Sequence, residues 1–159
     1  MNFSFFLENE EATKLFAQNL ALSLKPGDLI TLQGDLGTGK STIARTIIQT
    51  LANDNTIDVP SPTFTLMQSY QLPQFEIIHA DLYRLSMEEE IDELGLYEAC
   101  ENNILLVEWP ERSVALLELA TFALTLQYEV HGRHVTLRSA PHSIKRLQQA
   151  FAIHTLKKT

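Results

Sequence analysis

Residues Gly34 to Ser41 match the phosphate-binding pattern G-x-x-x-x-G-K-[ST] at every fixed position. Glycines let such a loop approach a ligand closely, and its successive backbone N–H groups form a concave site for an anion. Lys40 can add a positive charge for the β- and γ-phosphates of a nucleotide, and Ser41 can offer a hydroxyl to Mg²⁺. The predicted nucleotide contacts in this stretch are Gly37, Thr38, Gly39, Lys40, Ser41 and Thr42.

The residues on either side of the loop favour the strand and the helix that a phosphate site requires. Residues 28–33 are mostly apolar and short enough for a core strand. Residues 41–52 carry apolar side chains at helical spacing. The N-terminus of that helix would lie beneath the phosphates, where its dipole and free N–H groups favour anions. This setting favours a nucleotide site over the alternative, a glycine-rich turn without a ligand.

Two acids stand at the ends of predicted strands further along the chain. Asp81 follows the apolar segment 75–80, and Glu108 follows 103–107. Ligands of α/β sheets bind at the carboxyl ends of the strands. Glu108 therefore has the position of a Walker B acid, which holds Mg²⁺; an ordinary buried strand with a terminal acid is the alternative. We predict Ser41 and Glu108 as metal ligands.

A stiff segment lies between the phosphate loop and these acids. Pro60 and Pro62 flank Ser61, which favours an extended backbone and leaves Thr63 presenting its hydroxyl. Thr63 could sense Mg²⁺ or the γ-phosphate in the manner of a switch. The segment could equally be a rigid connector, and the sequence leaves both interpretations open.

The segment from Glu10 to Leu24 has the apolar stripe of an amphipathic helix. In phosphate-loop proteins, a segment before the first strand often contributes to the pocket for the nucleotide base. Glu10 is therefore a candidate nucleotide contact. A helix that simply covers the sheet is the alternative.

Composition limits the class of protein. The 159 residues are enough for one domain, 1–159, with a hydrophobic core. No apolar run approaches the length of a membrane span, and the first residues lack the basic region of a signal peptide. Cys100 is the only cysteine, so no internal disulfide can form. These features predict a cytoplasmic protein without a membrane partner.

The C-terminal part differs in pattern and charge. Strict alternation over 122–130, resumed at 135–137, predicts a pair of antiparallel strands, and a final helix is expected after Pro141. Residues 130–159 hold six of the 12 Lys and Arg residues and none of the 20 acids. This segment is either a solvated basic helix or a docking face for an anionic partner. Both interpretations expect Lys145 and Arg146 to point outward.

Four motifs in this order resemble the TsaE (YjeE) family: Gly34–Ser41, Ser61–Phe64, His79–Arg84 and Glu108–Trp109. The Ser-Pro-Thr-Phe, Asp-Leu-Tyr-Arg and Glu-Trp elements together are far more specific than the phosphate loop. Ala80 stands where the family often has an aromatic residue. The resemblance implies an α/β fold of the P-loop NTPase type. Its sheet is mainly parallel, with helices on both faces and antiparallel C-terminal strands.

The resemblance also implies an activity and partners. It implies an ATPase, with ATP and Mg²⁺ as ligands, that is needed to form threonylcarbamoyladenosine at position 37 of tRNA. The implied partners are the TsaD and TsaB proteins, with tRNA met only through their complex. Phosphoryl transfer depends mostly on positioning and charge stabilisation. Hydrolysis could therefore stay slow until a partner protein supplies a group that the site lacks.

Particular residues can be given roles in such a site. Lys40 would hold the phosphates, Glu108 the metal, and Asp81 would position the attacking water or a metal-bound water; these are the predicted catalytic residues. Trp109 could pack under the site, contact a partner, or be an ordinary core residue. A P-loop small-molecule kinase and a nucleotide-dependent switch are the competing functions, although no arginine-rich lid segment is visible.

Overall fold

The computed structural model of the protein describes residues 1–151. Seven strands form one sheet: β1 (Asn2–Leu7), β2 (Leu29–Gln33), β3 (Met67–Gln71), β4 (Glu76–Asp81), β5 (Ile104–Glu108), β6 (Phe122–Glu129) and β7 (Gly132–Ser139). The α-helices in this range are α1 (Glu10–Ala21), α2 (Lys40–Ala52), α3 (Glu88–Asp92), α4 (Leu96–Cys100), α5 (Val114–Leu119) and α6 (Ile144–Ala150). Short 3₁₀ helices cover Pro110–Arg112 and Pro141–Ser143.

The strand order is β1-β7-β6-β2-β5-β4-β3. The four neighbours β6, β2, β5 and β4 are parallel to one another, whereas β7, β1 and β3 are added antiparallel. Buried parallel strands are expected to be almost continuously apolar, and β2 and β5 have this character. The predicted mainly parallel sheet with antiparallel C-terminal strands is confirmed.

Helices cover both faces of the sheet. Ile30 and Leu106 belong to the core cluster that includes buried residues of α1, α2 and α6. Leu29 and Leu105, their neighbours in sequence, belong to a second cluster with residues of α3, α4 and α5. Because successive side chains of a strand point to opposite faces, these clusters lie on opposite sides of the sheet. None of the helices within residues 1–151 has the length and apolar character needed to cross a membrane.

Strand β1 was absent from the sequence-based prediction, which placed no element before Glu10. It pairs antiparallel with β7, and Phe3 and Leu7 are buried. The alternation of a six-residue edge strand is too short to distinguish from chance before its partner is known.

Helix α1 ends at Ala21, three residues earlier than predicted, whereas α2 and the antiparallel pair β6 and β7 follow the prediction.

Arg146 does not point freely outward, so this expectation was wrong. Its guanidinium donates to both carboxylate oxygens of Asp28, at 2.7 and 3.0 Å, and to the carbonyl oxygen of Ser23 at 2.5 Å. Asp28 is only 2 % exposed, and burial of its carboxylate requires a charged partner. Lys145 is exposed as predicted. Lys157 and Lys158, which contribute to the predicted basic surface, lie outside the described residues.

We expect Arg146→Ala to lower the free energy of unfolding by about 2 to 4 kcal/mol, because it leaves the buried Asp28 carboxylate without its partner. Lys145→Ala, one residue away and exposed, is the matched control and should change stability by less than about 0.5 kcal/mol. Urea unfolding of both variants measures the difference. Equal stability of the two variants would show that the ion pair does not hold α6 on the sheet.

Candidate functional site

The phosphate loop connects β2 to α2, as the sequence predicts. Gly37 and Gly39 have φ values of 80° and 110°, a region that residues with a Cβ rarely adopt. A methyl group at Gly39 would lie 2.5 Å from Nη1 of Arg133. The Thr38 hydroxyl donates to the carbonyl oxygen of Asp35 at 2.8 Å and closes the turn. The first N–H groups of α2 have no partner within the helix and are available to an anion.

Lys40 lies at the centre of the site and is only 5 % exposed. Its ammonium donates to the carbonyl oxygen of Gly34 and lies 3.8 Å from the centroid of the Trp109 ring. Burial lowers the pKa of Lys40 below its usual value, and Glu108 is the foremost of the nearby carboxylates that oppose this shift. The Trp109 ring also packs against Tyr83, at 4.8 Å between centroids. The structure thus favours the first of the three interpretations of Trp109, packing at the site.

Asp81 and Glu108 are neighbours across the parallel pair β4 and β5, and each is 2 % exposed. One oxygen of Asp81, Oδ2, accepts from the hydroxyls of Ser61 and Thr63, both at 3.1 Å. The other, Oδ1, accepts from the backbone N–H of Tyr83 at 2.9 Å. Asp81 therefore joins the proline-flanked segment to the end of β4, and Thr63 lies at the site.

Glu108 has a buried partner that the sequence analysis noted only as part of a motif. His79 Nε2 lies 2.7 Å from Glu108 Oε2, and both side chains are almost fully buried. His79 and Asp81 are two positions apart on β4, so their side chains lie on the same face of the sheet. That spacing is the feature of the sequence from which the contact could have been suspected.

These side chains surround one cavity of about 340 Å³. Its lining includes every predicted site residue except Thr38: Glu10, Gly37, Gly39, Lys40, Ser41, Thr42, Thr63, Asp81 and Glu108. The Thr38 side chain is 1 % exposed and stabilises the turn of the loop through its hydrogen bond to the carbonyl oxygen of Asp35. A larger groove, about 980 Å³, lies between α1 and α2, but its lining contains neither carboxylate and no residue of the loop.

The cavity also contains Trp109 and four residues that sequence reasoning did not assign to it: Leu36, Ser61, Tyr83 and Arg133. Arg133 comes from β7 and reaches the loop at Gly39, although 94 residues separate the two in the chain. The strand order brings them together, because β7 is separated from β2 by β6 alone. The excess of positive charge after residue 130 was the only sign of this residue in the sequence.

The donor set fits a magnesium ion that is completed by phosphate oxygens and water. Within residues 1–151, no group of three or more His, Cys, Asp or Glu side chains could hold a metal alone. Mg²⁺ is commonly bound by one or two carboxylates together with substrate phosphates. The Ser41 hydroxyl, with the Glu108 and Asp81 carboxylates on the same cavity, provides oxygen ligands of this kind.

The profile described as "Threonylcarbamoyl adenosine biosynthesis protein TsaE" matches residues 7–136, which is more than half of the chain. The chain belongs to the TsaE family. The matched range contains every residue of the cavity. The site described above is therefore part of the TsaE domain and not an addition to it.

Individual TsaE proteins and one solved structure are similar over most of this chain. The tRNA threonylcarbamoyladenosine biosynthesis protein TsaE of Rickettsia bellii is 49% identical over 111 residues, covering 70% of this chain and 76% of its own. The Haemophilus influenzae TsaE is 32% identical over 141 residues, covering 87% and 88%. A crystal structure of Bacillus subtilis YdiB superimposes with a TM-score of 0.73 at 26% identity, covering 98% and 97%.

We expect Asp81→Ala to loosen the proline-flanked segment, because it removes the acceptor of both the Ser61 and Thr63 hydroxyls. Hydrogen bonds to a charged group contribute about 1.5 to 3 kcal/mol, so exchange should become at least about tenfold faster. The Leu66 amide, which donates to the carbonyl oxygen of Pro62 at 2.7 Å, is the reporter in hydrogen-exchange measurements without nucleotide. Glu76→Ala, at the opposite end of β4, is the control. Unchanged exchange at Leu66 in the Asp81 variant would mean that other contacts hold the segment.

Proposed function

We propose that the chain is a Mg²⁺-dependent ATPase that takes part in the formation of threonylcarbamoyladenosine at position 37 of tRNA. Membership of the TsaE family supports the pathway. One observation supports the chemistry above all others: the phosphate loop, Asp81 and Glu108 line the same cavity. A loop for phosphates and two carboxylates for a hydrated cation are the parts that phosphoryl transfer to water requires.

The loop and Lys40 would bind the β- and γ-phosphates of ATP. The contact between Lys40 and the Trp109 ring contributes about 0.5 to 2 kcal/mol, which is too little to keep the ammonium from a triphosphate. Arg133 adds a second positive charge beside Gly39. Glu10, at the start of α1, lines the same cavity and remains our candidate for a contact to the nucleoside.

Ser41 and Glu108 would hold Mg²⁺. The bound ion would neutralise charge on the phosphates as the transferred group separates. Asp81 would orient the attacking water, and the hydroxyl of Thr63 would report the state of the nucleotide. Because Thr63 is bound to Asp81 at 3.1 Å, any movement of this carboxylate toward a ligand would be transmitted to the segment 61–64.

We further propose that the TsaB and TsaD proteins are the partners and that tRNA is met through their complex. The site is open to such a partner. Leu36 and Tyr83 line the cavity with 69% and 42% of their surface exposed, and Phe64, the residue after Thr63, is 83% exposed. Large exposed apolar side chains favour protein contact. A partner that covers them would also limit access of water to the phosphates.

Hydrolysis is preferred over the kinase alternative because Arg133 lies on strand β7 and not on a lid segment, and because the other two nearby arginines are bound to backbone. Arg84 donates to the carbonyl oxygen of Phe64 at 3.1 Å, and Arg112 donates to that of Tyr83 at 3.2 Å. Both guanidinium groups thus hold the backbone of segments at the site. A kinase lid instead needs arginines that are free to move onto the phosphates of the substrate. A switch without turnover differs from an ATPase only in rate.

We expect Glu108→Gln to reduce phosphate release by at least about tenfold while ADP affinity without Mg²⁺ stays within about threefold, because the loop still holds the anion. Lys40→Ala should weaken nucleotide binding itself. Calorimetry with ADP, and phosphate release with and without the TsaB and TsaD proteins, measure both effects. Glu101→Gln, an exposed residue outside the cavity, is the matched control.

Three results would separate the proposed functions. Phosphate release that rises with the two partner proteins supports the ATPase. Transfer of phosphate to small hydroxylated acceptors, without release into water, would support the kinase. Binding of MgATP without turnover, alone and with partners, would support the switch. Absence of nucleotide binding in the unmodified protein would contradict all three.

A further inference from the structure

We propose that His79 is a positioning residue that orients Glu108 so that one carboxylate oxygen remains for the metal; this inference rests on the proposed function. The hydrogen bond between His79 Nε2 and Glu108 Oε2, at 2.7 Å, carries it. Asp81, two residues further along β4, makes no comparable contact with the ring and is held by Ser61 and Thr63. The two carboxylates of the site thus have separate supports.

The fold places His79 directly behind the carboxylates. Pairing of β4 with β5 sets His79 opposite Leu106 and Asp81 opposite Glu108. The imidazole therefore lies two residues further from the carboxyl ends of the strands than the acids do, on the same face of the sheet. Ile77 and Leu106, on the same face of the sheet and away from the cavity, are fully buried in the core. The ring lies between an apolar core and the polar site, and its exposed fraction is only 1%.

The hydrogen bonds define how the ring is used. A carboxylate only accepts, so Nε2 of His79 carries the proton that is donated to Glu108. The other nitrogen, Nδ1, is buried without a partner among the described residues. The contact with the Glu108 carboxylate is therefore made through Nε2 as the donor.

The remaining oxygen of Glu108, Oε1, accepts no hydrogen bond within residues 1–151, and the residue lines the cavity. A glutamate has one more rotatable bond than the aspartate that is more common at the end of a Walker B strand. A fixed donor at Oε2 removes that freedom and selects one orientation of the carboxylate. Buried partners of metal-binding carboxylates commonly change metal affinity or activity by 10- to 100-fold when they are removed.

Two substitutions of His79 separate positioning from simple packing. The amide nitrogen of glutamine can occupy the place of Nε2, whereas that of asparagine corresponds to Nδ1 and falls short of Glu108. We expect His79→Asn to weaken the dependence of ADP affinity on Mg²⁺ by about 10-fold, and to reduce kcat by a larger factor than the factor by which KM changes. In His79→Gln, most of the Mg²⁺ dependence and most of kcat should be restored. ADP affinity measured without Mg²⁺ should be the same in both variants and in the unmodified protein.

The outcomes that oppose the inference are distinct from failure of the proposed function. If the unmodified protein binds Mg²⁺ and ADP independently of each other, the proposed function itself is wrong. If it couples them and His79→Asn does so equally well, only the role of His79 is wrong. Equal losses in the asparagine and glutamine variants, with lowered thermal stability, would also overturn it, since packing alone would then explain them.

A measurement on the unmodified fold avoids the substitutions of His79. In protein labelled with ¹⁵N at histidine, the ring of His79 should show the proton on Nε2 without ligand. Its two nitrogen signals should shift when Mg²⁺ is added to the ADP-bound protein, and this shift should be lost in Glu108→Gln. Absence of a proton on Nε2, or a ring that is insensitive to Mg²⁺, would overturn the inference even if His79→Asn does not fold.

Discussion

The site depends on the parallel pairing of β2, β5 and β4, whose carboxyl ends lie side by side at one edge of the sheet. Leu32, the penultimate residue of β2, pairs with Glu108, and Glu108 pairs with Asp81. The phosphate loop begins at Gly34, directly after the last residue of β2, so the loop and both acids lie at one edge of the sheet. A change in register of a single residue would turn Glu108 or Asp81 to the opposite face.

Charged groups in this place have to be held by specific partners, because burial of an unpaired charge is costly. Asp81 is held by two hydroxyls and one backbone N–H, Glu108 by His79, and Lys40 by a carbonyl oxygen and the Trp109 ring. Lys40 would exchange its contacts for a stronger one with a phosphate, whereas Glu108 would keep its hydrogen bond to His79 and bind the metal through Oε1. The arrangement is therefore stable before binding and can still bind.

The parts of this account that the sequence predicted are those encoded within short segments. The loop with its strand and helix, and the acids at the ends of β4 and β5, have local patterns, and the structure brings them to one cavity; that they bind nucleotide remains a prediction. Arg133 and the Arg146–Asp28 pair could not be predicted, since each joins residues about 100 positions apart. The expectation that Arg146 points outward failed because the pattern of a helix contains no information on a buried acid in a distant loop.

In the proposed function, one edge of the sheet binds the phosphates and the metal together. A crystal structure of the protein with Mg²⁺ and a non-hydrolysable ATP analogue tests this most directly. We predict the γ-phosphate within hydrogen-bond distance of Lys40 Nζ, and the metal bound by the Ser41 hydroxyl and by Glu108, directly or through one water molecule. An analogue bound in the groove between α1 and α2, or a metal ion remote from Glu108, would contradict the account.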